Sequence, residues 1–411
     1  MNNFCCRHCK APLLQKVLDL GYAPPSNSYV PLEKLNKPEL NFPLRLRVCD
    51  KCFLVQTEDF TDAELLFDAE YAYFSSTSVS WLKHAKTFAN DIINRLDLSS
   101  DSHVLEIASN DGYMLRNFHE LGIPCLGIEP TDSTATAAES LGITVKRAFF
   151  GTEIATGLAA SGTLSDLVIA NNVLAHVPDL NDFCEGLAKV LKPEGVVTIE
   201  VPHVVNLVNY CQFDTVYHEH FSYFSAITIR NILSKFGLRV FDIEEIGTHG
   251  GSLRLFVCRL AAKYKRSEDC KRVEEGEMRL GIQSLSFYSD FQSRSEAIKN
   301  NFLRFLLDAK HEGKSVAAYG AAAKGNTLLN FAGVRPDLVS CVFDAAPSKQ
   351  GKFLPGSHIP ILSPDKLYSS NFDYIIILPW NLRDEISSLL RKSVKNKTQF
   401  VTAVPEIEIF Q

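Results

Sequence analysis

Within seven residues, Tyr217-His218-Glu219-His220-Phe221-Ser222-Tyr223 gathers two histidines, a carboxylate and two phenols in an otherwise apolar stretch. An imidazole of pKa about 6.5 takes up and releases protons near neutrality. A tyrosine hydroxyl can donate to an oxyanion in a dry site. Together they suit removal of a proton from a carbon beside a carbonyl, which leaves that carbon nucleophilic. A metal site is the first competing explanation, but His-Glu-His lacks the i, i+4 histidine spacing of helical zinc enzymes. A satisfied core histidine is the second.

Metal chemistry is written elsewhere. Cys6-Arg7-His8-Cys9 and Cys49-Asp50-Lys51-Cys52 are two C-x2-C knuckles separated by 39 residues. Each places two thiolates on one tight turn, and the pair completes a four-sulfur cage for zinc with no position left for water, so the ion is structural. Cys5 and His8 are possible substitute ligands. A redox C-x-x-C needs a thioredoxin-like strand–helix setting, which neither knuckle has. Cys125, Cys184, Cys211, Cys258 and Cys341 sit among apolar neighbours and read as small buried hydrophobes.

The third signal is HVLEIASNDGYML (103–115), in which a predicted strand ends in Glu106, Ala108, Ser109, Asn110, Asp111 and Gly112. Ligands of open α/β sheets bind where the first strand turns into its helix. The next strand ends in Glu129-Pro130, where a carboxylate can accept both hydroxyls of a ribose. A dinucleotide fingerprint is excluded: Ala108 stands at the first glycine position and only Gly112 remains. The order E-x-A-x-x-D-G resembles the first motif of class I S-adenosylmethionine methyltransferases. DLVIANNVLAHVPDL (166–180) resembles their fourth strand and its loop, which implies that Asn171 and Asn172 line the cofactor pocket and His176 faces the substrate.

The elements that must position these groups fall into three segments. Residues 1–72 hold the cysteine pairs, prolines and turns, and promise a small zinc-binding domain with little core of its own. Over 73–270, strands at 103–107, 125–128, 143–146, 166–170 and 196–200 alternate with helices at 114–121, 133–141 and 181–191, predicting a mostly parallel, Rossmann-like sheet. A helix over 230–237 and two late strands, LRVFDIEEI and SLRLFVC, suggest an antiparallel edge. Residues 271–411 begin with one or two long helices, expected as a strut. Strand-like 315–320, 338–344, 373–378 and 399–404 then make a smaller α/β Rossmann-like unit.

With these pieces in place, the whole chain resembles the deoxysugar C-methyltransferases, which act on nucleotide-linked keto-deoxysugars. The resemblance rests on VCDKCFLVQ, LEIASNDGYML, ANNVLAHVPDL, YHEHFSYFS, HGGSLR, YGAAAKGNTLLN and VFDAAPSKQGKFLPGSHIPI. It implies a zinc-binding domain, a class I methyltransferase domain and a C-terminal domain that helps hold a nucleotide-diphosphate keto-deoxysugar. It also implies His220 as the base, Tyr217 and Glu219 as polarising or orienting groups, and His176 and Tyr71 completing the pocket. Ala108 departs from the commoner glycine; the added methyl is small and cofactor binding is expected to survive it. An O- or N-methyltransferase, or a zinc-ribbon nucleic-acid binder, remain the alternatives.

Composition trims these. A formal net charge of −6 and no basic run argue against a nucleic-acid partner. No apolar run of about 18 residues predicts a membrane span, and the first residues lack a signal-peptide core, so a cytoplasmic, monomeric enzyme is expected. Gly320-Ala-Ala-Ala-Lys324-Gly325-Asn326-Thr327 nearly spells a P-loop, but asparagine replaces its lysine. A glycine turn at a helix start can still bind diphosphate through backbone amides, with Lys324 adding charge.

Overall fold

A computed structural model of the chain describes residues 4–60, 74–368, 370–392, 394 and 397–411. Tyr71 lies outside the described residues. Three sheets organise the rest. The first is antiparallel, in the order β1 (Gln15–Ala23), β2 (Phe42–Val48), β3 (Val55–Thr57) and β9 (Ser222–Tyr223). No strand was expected before residue 73. The reason is visible in β1, whose pairing with β2 slips between Lys16 and Leu18 and again between Asp19 and Tyr22. Each slip breaks the two-residue alternation by which a strand is recognised.

The central sheet is built from β4 (Val104–Ile107), β5 (Cys125–Ile128), β6 (Thr144–Lys146), β7 (Ser165–Ile169), β8 (Leu191–Pro202), β10 (Leu238–Ile246) and β11 (Ser252–Arg259). Its order is β10-β11-β8-β7-β4-β5-β6, parallel from β8 to β6 and antiparallel at β11 and β10. Alternate side chains enter opposite cores. Leu105, Val168 and Val197 pack with Phe183 and Ile229, whereas Val104, Leu167 and Val196 pack with Phe88 and Ile92 of the helix Val79–Leu96. This is the doubly covered sheet that the strand pattern predicts. The helix expected at 114–121 is shorter, Arg116–His119. The one expected at 230–237 starts earlier, at Ala226, where Ser225 accepts from the Thr228 N–H as a cap.

The third sheet has the order β14 (Ile361–Leu362), β13 (Val342–Phe343), β12 (Val316–Tyr319), β15 (Tyr374–Ile377), β16 (Gln399–Thr402) and β17 (Glu408–Phe410). The chain turns outward in both directions from β12, so the carboxyl end of β12 is a switch point where an open sheet offers a crevice. The strand expected over 338–344 contracts to two residues.

The small N-terminal region divides its apolar surface between the two larger units. Val17, Leu18, Leu44 and Leu46 share a core with Phe302, Leu306, Leu328 and Leu329, while Cys6, Leu13, Cys49 and Leu54 pack in the central unit's core. The long helix Phe291–His311 is therefore part of a shared core rather than a free strut. In the preceding helix Glu268–Leu280, the buried Glu277 carboxylate accepts from the N–H groups of Ala226 (2.6 Å) and Ile227 (3.0 Å), which open the helix Ala226–Ser234. Among the described residues no helix is long and apolar enough to cross a membrane.

Candidate active site and zinc centre

The four knuckle cysteines converge. Their sulfur atoms all lie within 4.8 Å of one another, with Cys6 and Cys52 at 3.5 Å and Cys9 and Cys49 at 3.5 Å. A tetrahedral zinc with Zn–S of about 2.3 Å has sulfur–sulfur edges of about 3.8 Å, so the donor set fits the ion. The knuckles share one backbone design: Cys6 O accepts from Lys10 N–H and Cys49 O from Phe53 N–H, with both following residues left-handed (φ 63 and 57). The Gln56 side chain donates to Cys6 Sγ at 3.3 Å and Lys51 N–H to Cys49 Sγ at 3.4 Å. Of the substitute ligands, Cys5 is exposed and His8 donates through Nδ1 to Asn181 at 2.8 Å. Neither belongs to the cluster.

The candidate donor pocket lies at the carboxyl ends of β4, β5 and β7. Gly112 is left-handed (φ 77), and a Cβ there would fall 2.6 Å from Ile143 Cδ1, so glycine is required on both counts. Ala108 (φ 56), Asn110 (φ 49) and Asn172 (φ 57) share that conformation. The commoner glycine at 108 is thus explained by backbone conformation, beyond the space for a methyl. Ser75 and Ser76 N–H groups close over the loop onto Asn110 Oδ1 (2.9 Å) and Asp111 Oδ2 (3.0 Å). Glu129 accepts from the N–H groups of Asn110 and Thr131, and Pro130 follows it, half-buried.

Several oxygens here are buried without a protein partner: Glu106 Oε2, Ser109 Oγ, Asp111 Oδ1 and Asn171 Oδ1. Buried acceptors without donors are costly, and this group suits a cationic, hydroxyl-rich ligand such as S-adenosylmethionine. Burial, reinforced by Asp111 and Glu129, pushes the Glu106 carboxyl well above the usual range. Asn171 and Asn172 donate to Glu200 at 3.2 and 3.4 Å, and Arg254 holds the same buried carboxylate at 2.7 Å. His84, 3.2 Å from Glu200, stacks on Trp81, whose ring meets His249 at 5.2 Å. Despite the burial, these partners hold the Glu200 carboxyl below its ordinary value.

The reaction cluster gathers His176, Tyr217, His220 and Tyr223, with ring centroids 4.6, 4.0 and 5.9 Å from His220 respectively. His220 Nδ1 lies 3.1 Å from the Thr215 carbonyl. A carbonyl only accepts, so Nδ1 carries the hydrogen and Nε2 keeps a lone pair. His218 points elsewhere, with Nε2 donating to Phe42 O at 3.3 Å. The Glu219 carboxylate takes both 2.9 Å contacts from Asn27 Nδ2, a group on the N-terminal region. The ordinary imidazole pKa expected for the base is not what the site produces. Burial, with the His176 and Lys324 charges, drives His220 well below 6.5, and burial takes His176 and His249 to about 4.

Two units outside the central sheet hold this cluster. From the zinc knuckle, Arg7 Nε donates to Phe221 O at 3.2 Å and its guanidinium pairs with Asp59. Thr57 N–H donates to Phe221 O at 3.1 Å and its hydroxyl to His220 O at 3.3 Å. From the C-terminal unit, Thr327 Oγ1 donates to Val216 O at 3.0 Å and Trp380 Nε1 to Asp214 Oδ2 at 2.7 Å.

A relative, C-methyltransferase NovU of Streptomyces niveus, is 31% identical over 401 residues, covering 98% of this chain and 95% of its own. The chain belongs to the C-methyltransferase family. Family models agree in parts: "Putative zinc binding domain" over residues 6–67, "Methyltransferase domain" over 81–243, and "C-methyltransferase C-terminal domain" over 247–405. The last match begins ahead of β11, which pairs into the central sheet, so sequence family and sheet do not share a boundary. Among solved structures, magnesium protoporphyrin IX methyltransferase of Synechocystis PCC 6803 with bound SAH is 16% identical, covering 43% of this chain and 83% of that one (TM-score 0.35). A SAM dependent methyltransferase from Archaeoglobus fulgidus is 19% identical, covering 40% and 71% (TM-score 0.33). This C-methyltransferase uses S-adenosylmethionine and carries a four-cysteine zinc centre. Sequence reasoning missed Glu200, Arg254, His84, His249, Asp214 and Trp380. Only the paired glycines of HGGSLR, after a left-handed His249, signalled a constrained turn.

Proposed function

We propose that this C-methyltransferase acts on a nucleotide-linked 4-keto-6-deoxysugar, removing the proton at C3 beside the keto group and methylating the resulting enediolate to give a branched-chain sugar. The observation that carries this is the fixed tautomer of His220: Thr215 O claims its Nδ1–H, and burial keeps Nε2 unprotonated. A transfer to oxygen or nitrogen proceeds from a lone pair already present, so it does not call for a proton to be taken from carbon. In this reading His220 Nε2 takes the proton. Tyr217 lies against the base and polarises the sugar, with His176 completing the wall; a role for Tyr71 rests on the family resemblance alone. Glu219, anchored by Asn27, orients the loop. Glu106, Ala108 to Gly112, Glu129, Pro130, Asn171 and Asn172 line the donor pocket. When bound there, S-adenosylmethionine supplies an electrophilic methyl group. Three units divide the work: zinc-binding (1–72), methyl transfer (73–270), and nucleotide-sugar binding at the switch point of β12 (271–411). The decisive measurement is deuterium exchange at C3 of a dTDP- or GDP-4-keto-6-deoxyhexose in D2O without methyl donor. Exchange is expected. Its absence, with methylation of the reduced 4-hydroxy sugar, would establish an O-methyltransferase instead.

A further inference from the structure

The C-terminal unit sends two lysines toward the interior, and their surroundings differ. Lys349 Nζ is 2.9 Å from Ala321 O and 3.7 Å from Asp344 Oδ2, so a carboxylate and a carbonyl already meet its charge beside the Gly320 turn. Lys324 Nζ has Asn381 Oδ1 at 2.7 Å and the Trp380 ring at 4.6 Å. Burial lowers the Lys324 ammonium below its ordinary value, and the charge that opposes this is the buried Asp214 carboxylate, reached across Trp380 rather than by a direct ion pair. Trp380 bonds Asp214, which is fully buried with Oδ1 unpartnered and lies one residue before Thr215, the holder of the base. The same indole is wedged against the His249 turn: a Cβ on Gly250 would meet Trp380 Cη2 at 2.4 Å. Through the indole, Lys324 therefore adjoins Asp214 at the foot of the base's loop, while Pro379, the neighbour of Trp380, packs on the Gly320 turn.

We propose that the Lys324 ammonium is the electrophile that receives the substrate's keto oxygen as it becomes an enolate. This rests on the C-methyltransfer reading above and adds a cation to the neutral hydroxyl of Tyr217 in that reading. His220 Nε2 takes the proton from carbon. The C–H electron pair forms the C=C bond, and the carbonyl π pair moves onto oxygen, opposite the ammonium, which keeps its protons. The C=C pair would then form the bond to the methyl group as the donor's S–CH3 bond breaks and S-adenosylhomocysteine departs; the oxygen pair re-forms C=O, and the proton on His220 leaves to water. The need is quantitative in direction: a base held well below its ordinary pKa is a weak one, and a weak base requires strong stabilisation of the anion it generates. In a water-excluded cleft a single cation does this far better than in water. The Lys324 charge also contributes to holding His220 and His249 below the ordinary imidazole value, after burial.

The test compares Lys324→Met, Lys324→Gln and Lys324→Arg with the wild type. Readouts are C3 deuterium exchange at saturating dTDP-4-keto-6-deoxyglucose with S-adenosylhomocysteine bound, and the Kd for thymidine diphosphate alone. Exchange is expected to fall 10²- to 10³-fold in the Met and Gln variants and less than tenfold in the Arg variant, while the Kd stays within threefold. Unchanged homocysteine-ligand affinity certifies folding of each variant, and Gln preserves a polar contact to Asn381 should Met disturb packing. Exchange at the wild-type rate overturns the assignment. So does a thymidine diphosphate Kd weakened tenfold or more with exchange intact, which would make Lys324 a diphosphate ligand. A wild-type protein that exchanges no 4-keto sugar overturns the underlying reading instead, and is recognised before any variant is made.

Discussion

The proposed donor pocket and the proposed proton-abstraction site are built by opposite strategies. The first uses the ends of three adjacent strands of one sheet: Glu106 near the end of β4 with Ala108 to Gly112 after it, Glu129 and Pro130 after β5, Asn171 and Asn172 after β7. The second is held by three units at once. Thr57 and Arg7 fix the carbonyls of His220 and Phe221, Ala175 O takes the Phe221 N–H at 2.7 Å, and Thr327 fixes Val216. A pocket on one sheet stands or falls with that sheet. A site spanning three units is vulnerable to loss of any of them, so proton abstraction should be separable from donor binding.

The sharpest separation is His220→Asn. Asparagine retains a donor toward Thr215 O but has no basic nitrogen. C3 exchange is expected to fall about 10³-fold, the scale of a lost general base, with S-adenosylhomocysteine affinity unchanged in calorimetry. Exchange at the parent rate would give the base to another residue.

Next in size is Arg7→Met, which tests the reach of the zinc knuckle. Arg7 is 7% exposed, and its guanidinium lies 4.9 Å from the Phe221 ring centroid and donates to Phe221 O and Thr57 O. Hydrogen bonds from a charged group contribute about 1.5–3 kcal/mol each, although Asp59, its ion-pair partner, is half exposed and adds little. Exchange is expected to drop about tenfold through displacement of the 217–223 segment, a few tenths of the bond energy appearing as misplacement. Donor affinity should hold within threefold. Parallel loss of both would show that the two sites are one structural unit.

The pH dependence distinguishes the sites more gently. Because His220 is held well below 6.5 and His176 and His249 at about 4, the exchange rate should be flat between pH 7.5 and 6.5 and decline only in more acid solution. The sign for stability follows from the same groups. Below pH about 6.5 the unfolded imidazoles take up protons that the folded ones refuse, so stability falls as pH falls. An exchange midpoint at or above 6.5 would mean that water enters the site and the base is not desolvated.

The same contrast explains what the sequence could convey. Central strands such as CLGI over Cys125–Ile128 were legible because each is a short apolar run beside a helical pattern. The donor motif was legible because its residues are contiguous. Arg7, Asn27 and Trp380 were not, since each acts on a carbonyl or a carboxylate more than a hundred residues away, and Thr215 was not, since it acts through a backbone carbonyl that any residue carries. Glu200 was read as the last residue of a strand, and its role emerges only once β11 brings Arg254 beside it. The N-terminal sheet was missed for a different reason: its slips of register erase the alternation, and its buried face is completed by Phe302, Leu306, Leu328 and Leu329 of the C-terminal unit.

Ala108 gives the smallest effect and the cleanest test that the donor pocket is locally determined. Its φ of 56 is the left-handed region, where an L-residue other than glycine is disfavoured by about 1–2 kcal/mol. Ala108→Gly relieves this strain but gives the unfolded chain more freedom, a loss of about 0.4–1 kcal/mol. The net expectation is a gain of about 0.5–1 kcal/mol in the urea transition of the central unit, with exchange at C3 unaltered because no part of the base's support touches residue 108. Donor affinity should rise slightly or not at all, since the loop is already held shut by Ser75 and Ser76. Destabilisation by glycine would mean that residue 108 is not left-handed in solution, and the explanation offered for the departure from the commoner residue would fail with it.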